Sequence, residues 1–347
     1  MRIRPTGDDS IERLALALNL APLPAGYALY GMTAGRVVGT AQRLRIFAEL
    51  LGAALSAGEL AQRLDLQLAG TRLLCECLVG LEVLVQDGER FAVAARARKW
   101  LDPASPTYVG TWIEHSVSYW EWYGSLERIV RDGGSFEIHA GHEGEREYWR
   151  VYITGQYELA RLSAEDVAKR IRLPAGASSV LDVAGGHGWF SAALCRRRPG
   201  LRATVLDLPD SCAVGREIIA SAGMSDRVRH AEGDMFEADL GGPHDAALLF
   251  DIVHHLSREQ LATLLRRVRA ALKPGATIAV LDLFRGEKAH TTASAATLGM
   301  LFHLTSGGDL PGPEDLASSL VEAGFGPPRR TRLRRIPDQA LYQAIAQ

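Results

Sequence analysis

The 347-residue chain is short of three things. It has few cysteines, four in all, and they do not make a disulfide framework at this length. Cys75 and Cys77 are one residue apart, not at the C-x-x-C spacing of zinc or thioredoxin-type sites, and Cys195 and Cys212 stand alone. It has no excess of one charge: 39 Lys and Arg stand against 41 Asp and Glu, which excludes a general polyanion binder. It has no apolar run approaching the ~18 residues of a membrane span. The opening MRIRPTGDDS also lacks the apolar stretch of a secretory leader. These absences predict a cytoplasmic chain with reduced thiols, no metal, no membrane contact and no nucleic-acid partner. At 47% hydrophobic and 23% charged it is globular, and its length suits two domains.

The first half reads as helices followed by one hairpin. Apolar residues recur at helical spacing from Val37 to Leu51, and Ser56-Ala-Gly-Glu59 is a capping box that predicts a helix through Leu60 and Leu64. A third helix is expected over Thr71–Val79, then two strands within Leu84–Val93 around Asp87-Gly88. Three helices and a hairpin make the winged-helix pattern. The helix that would enter a DNA groove is apolar apart from Arg72, Glu76 and Glu82, whereas a reading helix needs Arg, Lys, Asn or Gln at base edges. Packing against protein is the better expectation. Between Thr107 and Tyr157 the chain is rich in Trp and Tyr, which either fill a core or line a flat, aromatic ligand.

The second half alternates strand and helix. Strands are expected at Ser179–Ala184, Ala203–Leu208, Val228–Glu232, Asp245–Ile252 and Thr277–Phe284, and a last one at Ala340–Ala346. That alternation predicts an α/β fold, a Rossmann-like and mostly parallel sheet whose ligands sit beyond the carboxyl ends of the strands. Chemistry-bearing residues stand at those ends. The turn Gly185-Gly-His-Gly188 lets backbone approach a ligand and opens a helix. Asp207 is placed to take ribose hydroxyls. Both features suit a nicotinamide dinucleotide as well as S-adenosylmethionine (SAM). Gly233-Asp-Met-Phe236 discriminates, an acid and a large apolar residue suiting an adenine. The run Arg329–Arg335 reads as solvated arginines on a sheet edge.

Together, Val180-Leu-Asp-Val-Ala-Gly-Gly-His-Gly188, Leu206-Asp-Leu-Pro209 and Gly233-Asp-Met-Phe236 resemble the SAM-dependent O-methyltransferases of the plant caffeate and bacterial polyketide type. The resemblance covers nearly the whole chain and implies a seven-stranded methyltransferase domain over 106–347 after a winged-helix dimerisation domain over 1–105. It implies SAM as cofactor, S-adenosylhomocysteine as product, and a homodimer. It maps the glycine motif to Asp182, Gly185, Gly186 and Gly188, with Ala184 in place of a usual glycine. It maps the ribose acid to Asp207 beside Leu208, and the adenine pair to Asp234 and Met235. Phe250 stands where plant members have a lysine.

The resemblance also implies His254 as catalytic base, with His255 where aspartate is usual. The first of two orienting glutamates maps to Asp282; the second falls at Leu310, beside Asp309. An imidazole titrating near neutrality suits the removal of a phenolic proton. The acceptor pocket of the family maps to Trp112, Tyr119, Tyr152, Gln156, Met300 and His303, which suggests a planar aromatic substrate. The leading expectation is O-methylation of a small aromatic metabolite. A SAM-binding relative that methylates carbon or nitrogen, decarboxylates or hydroxylates is second, and a winged-helix regulator third.

Overall fold

The computed structural model describes residues 6–7, 9–286, 292–333, 335–336 and 338–347, so Arg334 of the basic run and the first five residues of the chain lie outside it. The chain divides into two compact units between Trp120 and Glu121, later than the expected 105/106 boundary. The helix Gly110–Ser116 belongs to the N-terminal unit because Ile113 packs on that unit's core and Val117 lies against Gly39, where any Cβ would collide.

In the N-terminal unit, the helices Met32–Arg43, Ile46–Gly52, Ala57–Leu64 and Leu68–Gly80 surround three short antiparallel strands: β1 (Leu55–Ser56), β2 (Leu84–Asp87) and β3 (Arg90–Val93), ordered β1-β3-β2. The single helix expected from Val37 to Leu51 is two, parted where Arg45 turns left-handed at φ 62°. The capping box forms: the Glu59 amide donates to Ser56 Oγ at 3.2 Å, and the Ser56 amide to the Glu59 carboxylate at 2.7 Å. Ile46, Phe47, Leu50, Leu60, Leu78 and Phe91 make the core. Arg72 is turned onto Glu76 at 2.9 Å.

The second unit carries β4 (Ser179–Val183), β5 (Arg202–Asp207), β6 (Val228–Glu232), β7 (His244–Phe250), β8 (Leu272–Leu283), β9 (Arg329–Arg332) and β10 (Gln339–Ile345), in the order β6-β5-β4-β7-β8-β10-β9. The pairs from β6 to β8 are parallel, and β10 runs antiparallel to both its neighbours. Alternating residues feed two cores. Leu249, Ile278 and Val280 face one with Leu264 and Val268, while Leu248, Ala279 and Leu281 face the other with Leu194 and Val205. Burial on both faces explains the apolar stretches Ala246–Phe250 of β7 and Ile278–Leu281 of β8. Arg329, Arg330 and Arg332 lie along the edge strand β9. Among the described residues no helix is long and apolar enough to cross a membrane.

Strand order reverses between β4 and β7, which puts the ligand crevice over their carboxyl ends. There β4 runs into a turn with Ala184 at φ 55°, Gly186 at 49° and Gly188 at 66° before the helix Trp189–Arg197. A Cβ in the left-handed region meets the next carbonyl, so Ala184 is strained where glycine would not be. Replacing Ala184 with glycine is expected to raise stability by about 0.5–1 kcal/mol, read as a higher melting temperature; a lower one would contradict the strain.

Candidate active site

Three strand ends and the turn between them form one side of the site. Asp182, at the end of β4, points beneath the turn: it is buried, accepts the Ser191 hydroxyl at 2.7 Å, and leaves no room for a Cβ on Gly185. Burial pushes its carboxyl up to about 7. Asp182 thus holds up the turn expected to meet the cofactor. Asp207, at the end of β5, accepts the Gly186 amide on Oδ2 at 2.7 Å and the Leu208 amide on Oδ1 at 2.8 Å. Each oxygen keeps a further lone pair, which fits the two hydroxyls of a ribose. Cys212 lies below it, its thiol donating to the Asp207 carbonyl at 3.3 Å, and burial pushes that thiol up to about 12.

Leu208 packs on Trp149, Ile153 and Val214. Asp234 is exposed, with Oδ1 accepting the Phe236 amide at 2.6 Å and Oδ2 left for an amine, while Met235 packs on the core beside it. A paired ribose acceptor, an exposed acid at the next strand end and a cradle of glycines fit the adenosine part of SAM. The Phe250 ring, at the end of β7, is buried edge-on against Phe190 at 5.1 Å.

The second side is a pair of histidines in a short 3₁₀ turn after β7. His254 is 3% exposed, and its Nδ1 lies 2.6 Å from Oδ1 of Asp282, itself fully buried near the end of β8. Asp282 also accepts the main-chain amides of Leu283 at 2.7 Å and His254 at 3.3 Å. With Asp282 ionised, Nδ1 of His254 carries the ring hydrogen and Nε2 holds a lone pair. Burial keeps the ring neutral, down to about 3, and pushes the Asp282 carboxyl up to about 7.

His255 reaches the same tautomer by another route. Its Nδ1 lies 2.7 Å from Ser306 Oγ, whose own proton goes to the Phe302 carbonyl at 3.0 Å, so the ring must donate. Neither Nε2 has a partner among the described residues, and neither is sealed off. The rings lie 4.1 Å apart, and Phe302 stacks on His254 at 3.5 Å.

The remaining candidate residues are spread over several elements. On the helix Ala293–Ser306 the face toward the histidines carries Phe302 and Ser306, four residues apart, whereas Met300 is exposed and His303 half-buried. Phe302 was legible only as that i, i+4 companion of Ser306. Tyr152 and Gln156 are half-buried on the helix Arg146–Arg161, Tyr152 beside His139 at 4.8 Å. Trp112 and Tyr119 belong to the N-terminal unit. Leu310 is buried against Leu283 and Ala295, and Asp309 is turned onto Arg285, so among the described residues Asp282 is the one carboxylate on His254. Gly308 supports the pair from behind, since a Cβ there would strike the His254 carbonyl. No group of three or more His, Cys, Asp or Glu among the described residues is placed to hold a metal ion.

Comparison with known proteins identifies the family. The O-methyltransferase domain model matches residues 119–326. A 3-hydroxy-5-methyl-1-naphthoate 3-O-methyltransferase of Streptomyces sahachiroi is 30% identical, over 74% of this chain and 75% of its own. The tetracenomycin polyketide synthesis 8-O-methyl transferase TcmO of Streptomyces glaucescens is 28% identical, over 88% of this chain and 90% of its own. The aclacinomycin 10-hydroxylase RdmB of Streptomyces purpurascens is 33% identical, over 58% and 52%. Human N-acetylserotonin methyltransferase, solved in complex with SAM, shares the fold at a TM-score of 0.83 over 99% of both chains, with 18% identity. The chain belongs to the O-methyltransferase family and is a SAM-dependent enzyme.

Proposed function

We propose that the enzyme methylates a hydroxyl group of a small aromatic, polyketide-like metabolite, with His254 as general base. The observation that carries this reading is the His254–Asp282 bond, which leaves a neutral imidazole with its Nε2 lone pair unpartnered. Both histidines hold that tautomer, but only His254 has a carboxylate behind it to stabilise the imidazolium that forms on taking a proton. SAM, when bound, supplies a sulfonium methyl group for transfer to the acceptor oxygen. His254 takes the hydroxyl proton, Asp282 balances the charge, and Phe302 fixes the plane of the ring. Asp207 and Asp234 orient the nucleoside, and Tyr152 and Gln156 are assigned to the acceptor. The aromatic acceptor is supported by the relatives, one acting on a hydroxynaphthoate.

A second reading, transfer to carbon or nitrogen or a non-methylating reaction, is favoured by Leu310, which leaves His254 a single acid, and by the hydroxylase relative. Isotope-labelled SAM offered with phenols, hydroxyquinones and aromatic acids, read by mass spectrometry, is expected to yield a labelled methyl ether. His254→Ala is expected to lower kcat by ~10²-fold or more with SAM binding unchanged. Label on carbon or nitrogen, or bound SAM with no label moved, would move the assignment to the second reading.

The active form needs the Asp282 carboxylate and the Nε2 lone pair together, so a proton added to either group removes it. With the Asp282 carboxyl raised to about 7, activity should be lost as pH falls through the neutral range and be regained above it. In a kcat/KM profile this is an acid limb near 7, absent in a weakened Asp282→Asn variant. A limb near 4 would mean that burial does not perturb the pair.

We further propose a cytoplasmic homodimer paired through the N-terminal unit. Four free thiols support the compartment. Exposed Ile11, Leu14, Leu20, Tyr27, Leu29 and Tyr30 support the pairing. Sedimentation should give twice the chain mass, and Leu14→Glu with Tyr30→Glu should shift it to one; a wild-type monomer at micromolar concentration would refute the pairing.

A further inference from the structure

One imidazole away from the histidine pair is committed to the glycine turn. His230, on β6, has Nε2 3.0 Å from the Gly186 carbonyl. A carbonyl only accepts, so Nε2 carries the ring hydrogen. The opposite nitrogen, Nδ1, is sealed and has no partner among the described residues. Leaving a ring nitrogen so is costly, and the neutral ring tolerates it because burial pushes His230 down to about 4. What the fold gains is a grip on Gly186 from both sides. The Gly186 amide donates to Asp207 Oδ2 at 2.7 Å while its carbonyl takes the His230 proton, and the residue between them sits left-handed at φ 49°.

The space for this arrangement comes from a third element. A Cβ on Gly215, in the helix Pro209–Ser221, would overlap both the His230 Nε2 and the Gly186 carbonyl oxygen. A Cβ on Gly188 would come within 3.4 Å of the same ring. β6, the turn and this helix therefore converge on one hydrogen bond.

We propose that His230 is a positioning residue of the SAM site: through Gly186 it fixes how Asp207 presents its carboxylate to the ribose hydroxyls. The inference rests on the assignment of Asp207 to the ribose, so the test separates the two. Binding of S-adenosylhomocysteine is measured by calorimetry, with SAM kinetics alongside. Asp207→Asn is expected to weaken binding tenfold or more; unchanged binding would remove the ribose assignment and the proposal with it.

With Asp207 intact, His230→Phe, which keeps a ring but no donor, is expected to weaken binding by about tenfold, the loss of one well-placed hydrogen bond. The KM for SAM should rise in step and kcat at saturating SAM stay within about twofold. His230→Gln, whose amide reaches the Nε2 position, should recover most of the loss. Wild-type affinity in His230→Phe, or equal losses in the Phe and Gln variants, would overturn the proposal. If His230→Phe does not fold, His230→Asn, whose amide stops short of Gly186, replaces it in the comparison with Gln, with the same ratio expected.

Discussion

The buried hydrogen bond between Asp282 and His254 is the constraint to which the site is fitted. A carboxylate with no exposure is tolerable only if its neighbours replace water. Here the chain does so with the amides of Leu283 and His254 and with the Nδ1–H of the imidazole. The turn after β7 must therefore close over the end of β8, which requires the two strands to be parallel neighbours, as they are. Gly308 and Phe302 follow from that closure. One packs on the carbonyl of the turn, the other on the ring it presents. Removing the imidazole would leave the buried carboxyl short of a donor at a cost of about 1–3 kcal/mol, so geometry and stability are tied together at this point.

The glycine turn is built by the same means on the other side of β4. Asp182 lies under it, Asp207 beside it and His230 behind it, and each of the three is hydrogen-bonded to the turn or to the helix that leaves it. In both places an imidazole, buried in one case and half-buried in the other, is kept neutral by desolvation and used as a donor with a known direction, toward a carboxylate and toward a carbonyl. The second use has no acid-base consequence. It is a mechanical one.

Much of this was legible in the residues. The alternation of strand and helix, the capping box at Ser56 and Glu59, and the acids at successive strand ends are local signals, and each formed where its pattern placed it. What was not legible shares one cause: direction is set by neighbours distant in sequence. That Asp182 is directed under the turn is decided by Ser191 and Gly185, and that Asp309 is directed away from His254 is decided by Arg285. Met300 and Phe302 are both large and apolar, and only the packing of their helix decides which meets His254. Ile113 and Val117 likewise declare their core only through Gly39 and its neighbours.

Leu310 has a further consequence. With an apolar side chain where a second acid would stand, and with Asp282 closing the Nδ1 end, Nε2 is the one unblocked nitrogen of His254 among the described residues. The ring is therefore held by one carboxylate and one stacked phenyl group, Asp282 setting which nitrogen faces inward and Phe302 setting the plane, so its orientation depends on two contacts and not on a bracket of acids.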